Sequence, residues 1–249
     1  MLPLKLNIFF YRLLFFSKNP KKCILHILSH NKDYSRITIS DLKKYMTDTK
    51  VIIEAGSADG VDTLLFAKNF DKATIFAIEP VEKQYAFLLE KFKRFNNIKL
   101  TRVALSSRTE PVSIFVGKSN GEIGGMGSSS LLKPTLHKHY FPQINFSETQ
   151  IAEAVTLDKF IKDNDIKIVD LLWLDIQGME LDVMKSSEFE IRRKVKLIHL
   201  EISRIKFYDA MPSEKYIRSF LENIGFRCVI DKVGAISGNA LYLNLNIGK

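Results

Sequence analysis

The chain has 249 residues, 46% of them hydrophobic and 26% charged, which is enough to bury a sizeable core and fits one α/β domain. Its two cysteines, Cys23 and Cys228, stand far apart in unrelated contexts, which argues against a disulfide framework or a zinc cluster and fits a reducing, cytosolic compartment. The formal net charge of +9 favours acidic partners such as nucleic acid, an anionic membrane surface or a phosphorylated substrate, or else records a Lys-rich compositional bias.

The first segment, Leu2 to Phe16, is strongly apolar, but Pro3, Lys5, Asn7 and Arg12 interrupt it and it is shorter than the ~20 residues that span a bilayer. Ser-Lys-Asn-Pro-Lys-Lys follows, where a signal peptide would carry a small-residue cleavage site. Two readings stand: a helix packed on the domain, or an interfacial helix over residues 2–22 with Lys18, Lys21 and Lys22 facing anionic lipid, which makes the protein cytoplasmic with peripheral membrane contact. Residues 1–45 are therefore read as an N-terminal helical extension and 46–249 as the main domain.

From Val51 onward short apolar runs alternate with helical patterns, the signature of strands joined by crossover helices. Strands are predicted at Lys50 to Glu54, Thr74 to Glu79, Ile98 to Val103, Val169 to Asp175, Val195 to Ile202, Arg227 to Asp231 and Ala240 to Leu245. Helices are predicted at Gly60 to Asn69, Lys83 to Phe95, Leu157 to Asn164, Met179 to Ser186 and Ser213 to Asn223. The connection Lys232 to Asn239 is too short for a crossover helix, so the last two strands should pair antiparallel. The fold class is α/β: a doubly wound seven-stranded, mostly parallel sheet with an antiparallel last strand. Between the third and fourth strands, Gly117 to Ser130 is rich in Gly and Ser, and Leu131 to Phe146 carries His137, His139, Tyr140 and Phe141. This pair reads as a substrate-side lid or a disordered loop.

Open α/β sheets bind ligands at the carboxyl ends of their strands, where Glu54, Glu79 and Asp175 stand. After Glu54 the run Gly56-Ser57-Ala58-Asp59-Gly60 lets the backbone turn sharply beside a ligand, and the helix that starts near Gly60 points free N–H groups at the same place. A dinucleotide fingerprint needs glycines where this chain has Ala58 and Val61, and no P-loop lysine is present. The loop therefore suits a zwitterionic amino acid and adenosine better than a pyrophosphate, with the Glu79 carboxylate accepting both ribose hydroxyls.

With these features in view the chain resembles the FkbM family of methyltransferases. The resemblance rests on Glu54-Ala-Gly-Ser-Ala-Asp-Gly-Val-Asp-Thr63, Ala77-Ile-Glu-Pro80, Val103-Ala-Leu-Ser106, Ser128-Ser-Ser-Leu-Leu132, Val155-Thr-Leu-Asp158, Trp173-Leu-Asp-Ile-Gln-Gly-Met-Glu180 and His199-Leu-Glu-Ile-Ser203, with Tyr208 and Gly225-Phe226 beyond. It implies a Rossmann-like methyltransferase fold, S-adenosylmethionine as methyl donor, and O-methylation of sugar hydroxyls in glycans or of small molecules. Many members have a lysine before the Leu-Asp and a glutamate before the glycine, where this chain has Trp173 and Gln177. The candidate cofactor residues are Glu54, Gly56, Ser57, Ala58, Asp59, Gly60, Asp62, Thr63, Glu79, Pro80, Ala104 and Asp175. Ser129, Ser130, His137 and Tyr208 are the candidate acceptor contacts.

Methyl transfer to an alcohol is an in-line displacement that requires alignment and a base. Asp175, at the end of its strand, is placed to hold the methionine amino group or orient the acceptor, or else to cap the following helix. His199 and Glu201 alternate onto one strand face, which makes them candidate catalytic groups, while a histidine in an apolar strand can equally be a core residue. Glu180 and Glu82 read as helix-surface charges. No histidines or acids stand at metal-ligand spacing, so no metal is expected. An RNA methyltransferase is the competing reading, but Asp175-Ile-Gln-Gly stands where base-modifying enzymes often carry a Pro-Pro-Tyr-type motif, so nucleic acid is not favoured. A non-catalytic cofactor-binding protein is the third.

Overall fold

The computed structural model describes residues 35–119 and 126–247; the predicted contact through residues 2–22, and Cys23, lie outside them. In chain order the elements are α1 (Ile39–Lys43), β1 (Val51–Ala55), α2 (Val61–Asn69), β2 (Thr74–Ile78), α3 (Glu82–Phe92), β3 (Ile98–Thr101), β4 (Ala104–Leu105), β5 (Val112–Ser119), a 3₁₀ turn (Met126–Ser128) and α4 (His137–Tyr140). Then come β6 (Ile144–Ala152), β7 (Ala154–Val155), α5 (Leu157–Asp163), β8 (Val169–Leu174), α6 (Glu180–Ser186), α7 (Glu188–Lys194), β9 (Val195–Ser203), α8 (Glu214–Asn223), β10 (Phe226–Val233) and β11 (Ser237–Asn244).

All seven predicted strands join one sheet in the order β10-β11-β9-β8-β1-β2-β3, parallel from β9 to β3, with β11 antiparallel to both β9 and β10. This is a Rossmann-like doubly wound fold. The central strands are apolar on both faces because helices cover both, and β8, Val-Asp-Leu-Leu-Trp-Leu, is buried along its whole length. One face carries Ile53, Leu172, Ile198 and Tyr242 against α5, α6 and α8; the other carries Ile52, Leu171, Trp173 and Leu197 against α2. The described end of the predicted N-terminal extension packs on this second face, with Ile37 and Leu42 buried there. Thr38 and Asp41 form a capping box at the start of α1, and Asp41 also pairs with Lys232 at 2.6 Å.

The predicted lid differs from expectation in kind. Val112–Ser119 and Ile144–Ala152 pair as an antiparallel hairpin; residues 120–125 of the predicted loop lie outside the described residues, and the part from 126 onward is pinned by bridges from Phe115 to Ser130 and from Pro134 to Tyr208. Ile144, Phe146, Phe207, Tyr208 and Met211 form its own small core. The glycine-rich signal masked a strand that alternates, Ile114 and Val116 inward, before the glycines begin. Among the described residues no helix is long and apolar enough to cross a membrane, and no three His, Cys, Asp or Glu side chains are grouped to hold a metal ion.

Candidate active site

β1, β2 and β8 end side by side, and the segments that leave them wall an open cleft. β1 runs into Gly56 (φ +87°), where the N–H groups of Gly56 and Ser57 both donate to the Ile78 carbonyl. A Cβ on Gly56 would lie 2.0 Å from the Asp175 carbonyl oxygen, so only glycine lets the ends of β1 and β8 come this close. Ala58 donates its N–H to Glu79 Oε2 at 2.9 Å, Gly60 to the Ser57 carbonyl, and Val61 to Asp59 Oδ1. A Cβ on Gly60 would meet the Phe92 ring at 2.5 Å, which presses the turn onto α3. These loop N–H groups are already used, so the loop is no cradle for a pyrophosphate, in keeping with the sequence reading.

Glu79 is only 3% exposed and lines the cleft. Each of its oxygens accepts one backbone N–H, from Ala58 and from Val81, both at 2.9 Å. A carboxylate offers about four acceptor positions, so capacity remains for the two hydroxyls of a ribose. Burial pushes its carboxyl up to about 7. Beyond it the wall is apolar, from Ile78, Pro80, Ala104, Leu105 and Ile114, with Gln84 at its edge, a surface suited to a flat heterocycle. The residues therefore fit S-adenosylmethionine: a diol acceptor, an apolar slot, and carboxylates near a ligand that carries a sulfonium and an ammonium.

Six of the sequence-derived cofactor candidates line the cleft: Gly56, Ala58, Glu79, Pro80, Ala104 and Asp175. Of the others, Glu54, Ser57, Gly60 and Thr63 are buried, while Asp59 is exposed and Asp62 partly so. Glu54 is 2% exposed, accepts the Thr63 hydroxyl and stands beside Ser57, so it clamps α2 to β1; burial pushes it up to about 8. Asp62 pairs with Arg36.

On the acceptor side the chain leaves β8 through Asp175, Ile176 and Gln177, the last in the left-handed region at φ +51°. Gln177 Nε2 donates to Asp175 Oδ1 at 2.8 Å and to Glu201 Oε2 at 3.4 Å, and Gln177 Oε1 accepts from the Tyr208 hydroxyl at 3.1 Å. The Tyr208 hydroxyl also reaches the Ser128 carbonyl at 2.8 Å. Burial pushes the Asp175 carboxyl up to about 6, against the lowering effect of the Gln177 amide. Ser129 lines the cleft, and Ser130 is buried, donating to the Gln177 carbonyl and accepting from Leu132 N–H.

Three sequence readings are corrected. His199 is 1% exposed, stacks on Trp173 and lies 2.8 Å from Asn239 Oδ1 through Nε2. Asn239 Nδ2 is engaged by the Ser35 carbonyl, which fixes that amide, so Nε2 donates. Burial pulls the imidazole down to about 3, and the ring sits one pleat below the sheet edge: it is a core residue and not the base. His137 is likewise interior, 4% exposed among Phe141, Phe146, Phe207 and Tyr208, so it braces the hairpin and does not meet an acceptor. Glu180 is no surface charge: it is 3% exposed and accepts the N–H groups of Ile176 and Gly178, so this residue, and not Asp175, caps the turn. The signal for it was its place two residues after Gln-Gly, where a buried turn needs a local acceptor.

A family model described as Methyltransferase FkbM domain matches residues 54–228. The chain is 25% identical over 198 residues to the 2-O-methyltransferase NoeI of Sinorhizobium fredii (strain NBRC 101917 / NGR234), covering 79% of this chain and 80% of that one. Among solved structures, methyltransferase FkbM from Methylobacillus flagellatus KT aligns with a TM-score of 0.48 at 13% identity, over 84% of this chain and 47% of that one. The Methanococcus jannaschii fibrillarin pre-rRNA processing protein aligns with a TM-score of 0.46 at 15% identity, over 80% of this chain and 68% of that one.

Proposed function

The chain belongs to the FkbM methyltransferase family, and from that premise we propose that it methylates a hydroxyl oxygen of a neutral, sugar-like acceptor, with Asp175 taking the hydroxyl proton. The observation that carries this reading is the meeting of Asp175 and Glu201, from adjacent strand ends, on one amide at the rim of the cofactor cleft. Bound S-adenosylmethionine supplies a methyl group on a positively charged sulfur, electrophilic enough that the protein need only align an oxygen and accept its proton.

Asp175 is suited to that task. One of its oxygens is held by Gln177, so the carboxylate has a fixed aim. Its carboxyl, raised to about 6, is mostly ionised at neutral pH yet basic enough to hold a proton as the new C–O bond forms. Asp175 and Glu201, meeting on one amide, disfavour a polyanion such as RNA at this point in spite of the net charge of +9. That the relative NoeI is a 2-O-methyltransferase supports oxygen as the acceptor atom.

The test is transfer of tritiated methyl from S-adenosylmethionine to glycans, lipid-linked sugars and RNA of the source cell, by the wild type and by Asp175→Asn. The reading requires label in a glycan or lipid-linked sugar and a loss of about 100-fold or more in the variant. Label confined to RNA, or an Asp175→Asn enzyme as fast as wild type, would overturn it.

A further inference from the structure

At the mouth of the site a neutral side chain occupies the centre of an acidic group. Gln177 is reached from Asp175 at the end of β8, from Glu201 in β9 and from Tyr208 beyond it, and its own backbone is fixed by the Ser130 hydroxyl on its carbonyl. Its φ of +51° is uncommon for a residue with a side chain, and such backbone is kept where surrounding contacts over-determine it. Gly178 follows at φ +105°, with its N–H on Glu180.

The amide has one orientation that satisfies these contacts with both acids ionised. With Nε2 toward the acids, two carboxylates receive N–H groups, and the single Tyr208 proton is shared between the Ser128 carbonyl at 2.8 Å and Oε1 at 3.1 Å. Turned over, Oε1 would face two carboxylates, and one of them would have to carry a proton.

Resting on the reading of Asp175 as the base, we infer that Gln177 is its positioning residue: the Gln177 amide, with its N–H groups turned to the two carboxylates and Tyr208 beside its oxygen, keeps Asp175 ionised and fixes which of its oxygens faces the acceptor. The need is electrostatic. Among the described residues, the ionisable groups around Asp175 are acidic or neutral: Glu54 from β1, Asp62 from α2, Glu180 from α6, Glu201 from β9, and the Tyr208 hydroxyl. The cation Arg36 is engaged with Asp62. In that company, and partly buried, a carboxyl tends to hold its proton, and the donated amide N–H opposes this.

The experiment needs no acceptor. Protein labelled with ¹³C at aspartate Cγ is titrated from pH 4 to 9 by NMR, with the Asp175 signal identified by its absence in Asp175→Asn. Gln177→Leu should move the Asp175 midpoint up by at least one pH unit, a ten-fold gain in proton affinity, and Tyr208→Phe should move it up by less. Gln177→Asn tolerates the left-handed backbone but is too short to span both acids and Tyr208, so it should behave as Gln177→Leu and guards against a variant that does not fold. A midpoint within 0.3 units, roughly, of wild type in folded Gln177→Asn would overturn the role of Gln177 while leaving Asp175 as base. In the separate methyl-transfer assay, an Asp175→Asn enzyme as fast as wild type would instead overturn the base itself.

Discussion

The indole of Trp173 and the imidazole of His199 lie face to face on adjacent strands, ring centroids 3.3 Å apart and planes 8° apart. The stack lies on the α2 face of the sheet, where Phe66 meets the indole edge-on at 5.1 Å. A ring so placed contributes by packing. His199→Phe keeps the stack and gives up only the contact with Asn239, which should cost about 1 kcal/mol of unfolding free energy. His199→Ala leaves a cavity beside Trp173 and should cost about 3 kcal/mol. Urea unfolding measures both, and methyl transfer by His199→Phe should stay within a few-fold of wild type. A stable His199→Phe without activity would restore a catalytic role to the imidazole.

The same two residues mark where the sequence was legible and where it was not. Periodicity located every strand of the seven-stranded sheet, because buried parallel strands such as Val169–Leu174 are written as apolar runs, interrupted there only by Asp170. Glu79 was readable because it closes the strand after the glycine loop, which puts its carboxylate beside that loop; Glu54, also at a strand end, turned inward instead. His199 was not, because alternation gives the face of a strand but not the depth, and one pleat separates Glu201 at the rim from His199 in the core. Gln177 carried no chemical signal as an amide, and its role depends on Tyr208, which arrives from 31 residues away. The β5–β6 hairpin was hidden by the glycines that follow it.

Gly56→Ala tests the approach of β1 to β8. The left-handed backbone alone should cost about 1–3 kcal/mol. The overlap with the Asp175 carbonyl, 2.0 Å from the new methyl, forces the strand ends apart. The expected outcome is a lowered urea midpoint and loss of S-adenosylhomocysteine binding by calorimetry. Retained binding would mean that the loop can be redrawn without harm to the cleft.

Glu180→Gln removes a buried carboxylate that accepts from Ile176 and Gly178. One acceptor oxygen remains, so the loss should be about 1–2 kcal/mol, while Glu180→Leu leaves both N–H groups without an acceptor and should cost more. If Glu180 were only a surface charge, both variants would unfold at the wild-type urea concentration.

Glu79 predicts a proton linkage. With its carboxyl raised to about 7 by burial, it is partly protonated in the free protein at neutral pH. Hydroxyl donors from a ribose favour the ionised form, so binding should release protons. Calorimetry of S-adenosylhomocysteine binding at pH 7 in buffers of differing ionisation enthalpy should report a fractional proton released, and Glu79→Gln should abolish the release and weaken binding. Identical apparent enthalpies in all buffers would contradict this.

The pH dependence of stability in the free protein follows from the buried groups taken together. Glu54, Glu79 and Glu180 are raised from 4.5 to about 8, 7 and 7, and Asp175 from 3.8 to about 6. The folded state therefore binds more protons than the unfolded chain, and stability falls as pH rises through the folded values. His137 and His199 are lowered from 6.5 to about 4 and 3, so there the unfolded chain binds more protons and stability falls as pH drops below 6.5. The two effects oppose each other between about 4.5 and 6.5, and only the carboxyls titrate above that. Thermal unfolding should therefore be highest below neutrality and decline from pH 6.5 to 8, and Glu79→Gln should flatten part of that decline. A melting temperature that rises from pH 6.5 to 8 would show that these carboxyls are ionised in the folded protein throughout.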